Sequence, residues 1–141
     1  MYYIKIKMKN SILIIFKNLY YLSVCFLLII YLFPGSLIGY ILYGDFGRQP
    51  YLISNPIGAS INHLIFFFYL STLGLIINNY QKKLISSFSF LFIVSIILEL
   101  FHFLIPNRAF EINDLYANSS GVLLAYLILK FFKKISDKMF L

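Results

Sequence analysis

The sequence predicts an all-α fold, a bundle of four transmembrane helices with both termini cytoplasmic. Three observations carry that expectation: apolar composition, the length of the charge-free runs, and the sorting of the lysines. Of the 141 residues, 61% are hydrophobic and only 12% are charged. Soluble domains carry about 25% charged residues, so this composition belongs to an integral membrane protein. Asn18 to Gly44 and Gln49 to Gln81 carry no charge, Leu84 to Asn107 is interrupted only by Glu99, and Leu115 to Leu129 is charge-free. A crossing helix needs ~20 apolar residues, so these runs hold four spans and leave nothing for a soluble domain.

The first span is placed at residues 19–42, where Pro34-Gly35 either kinks the helix or ends it early, because proline removes a backbone donor. A loop marked by Gly44, Gly47, Pro50 and Pro56 separates it from the second span at 59–79. The third span is placed at 84–105 and the fourth at 113–132, giving one membrane domain over residues 1–141. Lys5, Lys7, Lys9 and Lys17 precede the first span, Lys82 and Lys83 join the second to the third, and Lys130, Lys133, Lys134 and Lys138 end the chain. Four crossings put all ten lysines on one side, which the positive-inside rule makes the cytoplasm. The formal net charge of +7 is then a topology signal, and no soluble basic face offers itself to nucleic acid. The N-terminal apolar run is too long for a signal peptide and lacks a small-residue cleavage site, so it reads as an uncleaved anchor. Cys25 is the only cysteine, which excludes an internal disulfide and suggests a packed thiol.

Chemistry concentrates in Glu99-Leu-Phe-His102 through Arg108, and in Asp114-Leu-Tyr-Ala-Asn118-Ser-Ser-Gly121. Ionisable groups inside a span are costly and mark a site or a structural polar cluster. With the third helix running outward, Glu99 lies six residues, or ~9 Å, below its outer end. Ser95, Glu99 and His102 share one face of it, at helical spacing. The fourth helix enters from outside with Asp114, Asn118, Gly121 and Ala125 on one stripe, polar first and then small. His63, Phe67, Leu70 and Gly74 repeat that order on the second helix. Small residues such as Gly121, Ala125 and Gly74 let helices approach closely. Three helices thus present polar groups at one depth, with Arg108 above them in reach of Glu99 or Asp114. The expected cluster is Glu99, His102, Arg108, Asp114, Asn118 and His63, open towards the outside.

Competing readings attach to each member. Asp114 at a helix start also serves as a cap, Asn118 as an interhelical hydrogen-bonding group, and His63 as a polar residue packed under the headgroups. Tyrosines and phenylalanines near the span ends read as interfacial anchors, and Glu111 as a solvated loop charge. No helical His-x-x-x-His spacing occurs, so neither a metal nor a cofactor is expected. No nucleophile turn surrounds Ser95, Ser119 or Ser120. The acceptor pattern Asn118-Ser119-Ser120 lies inside a span, where glycosylation has no access.

These residues resemble the VanZ-like family of small bacterial membrane proteins. Its pattern is a Glu, a Gln three residues on, an aromatic-rich run to Arg, then Asp, Asn four later, Gly three further and Gly four beyond. Here Glu99, Arg108, Asp114, Asn118 and Gly121 occupy those places, with His102 where Gln is usual and Ala125 where the last Gly is usual. The specific match spans residues 99–125, and Asn62-His63-Leu-Ile-Phe66-Phe67 is loosely similar to a stretch opening an earlier span. The resemblance implies the outer face of the bacterial envelope and a theme of resistance to teicoplanin; it does not imply a reaction.

The leading expectation is a polar cluster that binds a lipid headgroup, a lipid-linked cell-wall precursor or a lipophilic glycopeptide. Arg108 would attract the anion while Glu99 and Asp114 held the arginine in place. Membrane lipids would be partners, with the cytoplasmic lysines on anionic lipid. An intramembrane enzyme would instead use Glu99 or His102 as general base. A transporter or channel would need Glu99 as a proton relay and a homo-oligomer to line a path. In a purely structural reading the cluster locks the helices together.

Overall fold

The computed structural model describes residues 2–48 and 58–139, with side chains over 11–48 and 60–135. Pro50 and Pro56, and the side chains of Lys5, Lys7, Lys9 and Lys138, lie outside the described residues. Among the described residues the regular structure is helical throughout: α1 (Tyr2–Leu32), α2 (Leu37–Tyr43), α3 (Gly58–Gln81), a 3-10 turn (Leu84–Ser86), α4 (Phe88–Phe101) and α5 (Ile112–Met139). Three stretches are long and apolar enough to cross a membrane: Ser11–Leu32, Ser60–Gln81 and Ile112–Ile135.

Two expected spans are redrawn. The first does not run to residue 42, because α1 stops at Leu32. Pro34 cannot continue the hydrogen-bond ladder, and Gly35 takes a left-handed φ of +86° that turns the chain. The Ser36 amide then donates to the Phe46 carbonyl at 2.7 Å, and Ser36 Oγ accepts from the Gly39 amide to start α2. Lys17 lies within α1, and a long lysine stem reaches from such a place to the interface. The third span is shortened to α4, 14 residues or about 21 Å, less than the ~30 Å hydrocarbon thickness. Ser87 Oγ caps its start by accepting from the Phe90 amide. Beyond Phe101 the amides of His102, Phe103 and Leu104 reach back three residues, a tightening that precedes Pro106.

α3 and α5 form the most extensive pairing and run parallel. Ser60 opposes Asp114 near their starts, Leu64 to Phe68 oppose Gly121, and Leu75 and Asn78 lie beside Tyr126 and Lys133 near their ends. α1 runs the other way along α3, with Tyr31 against His63, Ser23 against Tyr69 and Tyr20 against Gly74. Tyr20 also donates to the Ile85 carbonyl at 2.7 Å, tying α1 to the turn before α4. The core between these helices holds Tyr20, Leu27, Phe67, Leu70, Ile77, Leu91, Leu98, Val122 and Ala125. Outward faces carry Ile15, Leu22 and Leu124, as acyl chains in place of water allow. Cys25 is among these exposed residues, so it is not the packed thiol expected.

Gly121 sets the α3–α5 distance. A Cβ there would lie 2.5 Å from the Leu64 carbonyl oxygen and 2.9 Å from the Phe68 amide nitrogen, which are backbone atoms that cannot move aside. At Gly74 the obstacles are side-chain atoms, Tyr20 Cε2 at 2.9 Å and Leu91 Cδ1 at 3.2 Å. Gly121→Ala is therefore expected to cost about 1–3 kcal/mol and Gly74→Ala distinctly less. Thermal unfolding of both variants in one detergent checks the order.

Candidate functional site

The end of the bundle where α1 and α4 finish and α3 and α5 begin holds the polar residues. Glu99, in the last turn of α4, is 0% exposed, and each of its oxygens is engaged. Oε1 accepts from His102 Nδ1 at 3.1 Å and from the Glu111 amide at 3.4 Å. Oε2 accepts from Asn118 Nδ2 at 3.2 Å and lies 3.3 Å from the Tyr31 hydroxyl and 3.9 Å from His63 Nδ1. A carboxylate removed from water needs such donors, since an unpaired one neutralises or unfolds the site.

Asn118 is also fully buried, and its Nδ2 reaches the Ser95 carbonyl at 3.5 Å. Its burial agrees with a glycosylation signal that has no access. Asp114, in the first turn of α5, accepts from Ser60 Oγ at 2.6 Å and faces His63 Nε2 at 3.5 Å. The positive end of the helix dipole adds to what holds this carboxylate. His102 is buried, stacks on the Tyr31 ring at 5.0 Å between centroids, and leaves Nε2 without a partner. Glu111 is exposed and enters the cluster only through its backbone amide.

Arg108 departs from the sequence expectation: it pairs with neither Glu99 nor Asp114. Its Nη2 donates to the Ile30 carbonyl at 2.7 Å and its Nε to the Phe33 carbonyl at 3.3 Å. Where α1 breaks off at Pro34, its last carbonyls have no amide to accept from, and a guanidinium satisfies two of them while meeting the negative end of the dipole. Burial lowers the Arg108 pKa from its ordinary value, while the Tyr31 hydroxyl, Glu99 and Asp114 act to raise it.

Of the sequence-predicted residues, the structure thus brings His63, Glu99, His102, Asp114 and Asn118 together and sets Arg108 beside them on α1. Gly121, Ala125 and Gly74 are buried at helix contacts. Two contributors escaped the sequence reading. Tyr31 is 6% exposed, and its hydroxyl stands within hydrogen-bond distance of His63, Glu99 and Asn118. Its signal was the spacing of Tyr20, Ser23, Leu27 and Tyr31, hydroxyls recurring on one buried stripe of an apolar helix. Ser60 gave no comparable signal. The metal expectation also changes in kind: His63, Glu99 and Asp114, on three different helices, each offer a donor atom within 4.8 Å of the others. Local spacing could not reveal a set spread over 51 positions of sequence, from 63 to 114.

A cavity of about 150 Å³ opens beside the cluster. Apolar Phe26, Leu27, Ile30, Ile38 and Phe66 line it together with Tyr31, Ser36, Asn62, His63 and Arg108.

A family model described as VanZ/LLP1 matches residues 7–133, most of the chain, and the protein belongs to that family. No curated protein and no solved structure matches it.

Two substitutions test the geometry. Tyr31→Phe keeps the ring and removes the hydroxyl shared by His63, Glu99 and Asn118, which should cost about 1–3 kcal/mol. Arg108→Lys keeps the charge and loses the fork that spans two carbonyls, so lysine should not restore wild-type stability. Thermal unfolding with urea-free detergent samples reads both; an unaltered midpoint in Tyr31→Phe would contradict the hydroxyl's central place.

Proposed function

We propose that this VanZ/LLP1 membrane protein binds an amphipathic ligand with an anionic head, a lipid headgroup or a lipid-linked cell-wall precursor. The observation that carries the reading is the cavity's two-sided wall. Arg108 and His63 stand at its polar side, while Phe26, Ile30, Ile38 and Phe66 offer an acyl chain apolar contact. No carboxylate lies within 4.0 Å of Arg108 among the described residues, so its charge is not cancelled by an ion pair. Carbonyls fix the guanidinium and leave Nη1 to meet a phosphate or carboxylate. A lipophilic glycopeptide presents the same combination of acid and acyl chain and would compete for the cavity.

The topology belongs to the same proposal. α4 with the turns flanking it makes the fourth crossing of a bacterial cytoplasmic membrane, and both termini are cytoplasmic. Support comes from Lys82 and Lys83, just past the end of α3, and from Lys130, Lys133 and Lys134 in the later turns of α5, all away from the polar cluster. The cavity would then open at the outer leaflet.

Lipid mass spectrometry of protein purified at matched expression tests the binding. Ile38→Trp fills the cavity without touching the cluster and should reduce the co-purifying anionic lipid at least several-fold; equal retention would overturn the reading. For topology, a C-terminal green fluorescent protein fusion should fluoresce and a C-terminal alkaline phosphatase fusion should stay inactive.

A further inference from the structure

Donor counting at the centre of the cluster leaves one imidazole nitrogen to be explained. Asn118 Nδ2 faces two acceptors, Glu99 Oε2 and the Ser95 carbonyl, which fixes the orientation of the amide. Asn118 Oδ1 therefore points at the Tyr31 hydroxyl, 2.9 Å away, and at His63 Nδ1, 3.2 Å away. An amide oxygen only accepts, and a hydroxyl has one hydrogen to give. Were His63 Nδ1 bare, that one hydrogen would have to serve both His63 and Asn118, and a buried acceptor would go unpaired. With the hydrogen on Nδ1, His63 donates to Tyr31 at 2.6 Å and Tyr31 donates to Asn118. The hydrogen bonds thus place a hydrogen on Nδ1 and leave Nε2 as the atom turned to Asp114. Nε2 faces Asp114 Oδ2 at 3.5 Å, either as the second N–H of an imidazolium or as a bare nitrogen. Bare, it would repel the carboxylate, so the pair needs a positive species between them, a proton on His63 or a metal ion.

Charge balance points the same way by a separate route. Glu99 is 0% and Asp114 4% exposed, yet among the described residues no lysine or arginine nitrogen lies within 4.0 Å of either. His102 already gives Glu99 one hydrogen through Nδ1, and a second proton on its buried Nε2 would find no acceptor. Two buried carboxylates in an apolar medium call for compensating positive charge.

We propose that His63, Glu99 and Asp114 form a binding site for a divalent transition-metal ion of the zinc or manganese class. One imidazole nitrogen with carboxylate oxygens is a donor set such ions accept. Their donor atoms, all within 4.8 Å of one another, need only modest closure. Zinc bonds of about 2.0–2.2 Å in tetrahedral array hold donors about 3.4 Å apart, so the widest pair closes by up to about 1.4 Å. The hydrogen bond from His63 Nδ1 to Tyr31 is the outer-shell contact that orients a metal-bound imidazole. His63, 14% exposed on its side chain and part of the cavity wall, leaves the open coordination position on that side. The site holds whether or not the cavity takes a lipid.

Untagged or Strep-tagged protein, stripped with chelator in detergent, is titrated with ZnCl2 and its metal content measured after desalting. One equivalent should be retained, with a raised unfolding midpoint, and His63→Gln or Asp114→Asn should weaken zinc at least tenfold while Asp45→Asn does not. Since either cluster variant could lose its fold, wild-type protein is also titrated with CoCl2. Visible bands of a low-coordinate nitrogen–oxygen site support the proposal. No retained zinc, retention indifferent to His63, or only the spectrum of hydrated cobalt overturns it.

Discussion

A carboxylate with no access to water governs this bundle. Glu99 lies within an apolar helix and is fully buried, so every hydrogen bond it receives must come from protein. The donors arrive from α5 through Asn118, from α1 through Tyr31, from the α4 end through His102, and from the following strand of chain through the Glu111 amide. Between hydrocarbon chains, where helix faces gain little from burying apolar surface, such polar contacts and close packing decide which helices meet. The same residue that costs most to bury therefore specifies the arrangement.

Close packing and polar contact are coupled through α3 and α5. Because Gly121 lets the Leu64–Phe68 backbone approach, the starts of the two helices converge, and Ser60 and His63 come within reach of Asp114. Widening that contact would pull His63 from both Asp114 and Asn118. Stability and site geometry here share one determinant, so an assay of function needs a matched measure of folding.

The break at Pro34-Gly35 has a similar double effect. It frees carbonyls at the end of α1, and those carbonyls take Arg108 away from the carboxylates. The guanidinium is thus held on the cavity wall with its charge uncancelled, and the carboxylates are left to histidines, hydroxyls and an amide. A pairing of Glu99 with Arg108 would have made a neutral, closed cluster; the observed partition leaves a positive wall and an acid-rich centre side by side.

Sequence alone determined the all-helical class and membrane character, because period and apolar run length are local properties. It also fixed the shared stripes of Asp114, Asn118, Gly121 and Ala125, and of His63, Phe67, Leu70 and Gly74, since 3.6 residues per turn dictates them. The depth at which those stripes meet followed from alternating helix direction. Tertiary structure alone decided the partners. Arg108 had only the carboxylates Glu99 and Asp114 in prospect, and the place where α1 ended gave it carbonyls instead. Tyr31, in the middle of the expected first span, had no role until α3, α4 and α5 closed over its hydroxyl. The grouping of His63, Glu99 and Asp114 joins three helices, and no spacing within one segment encodes a distance between segments.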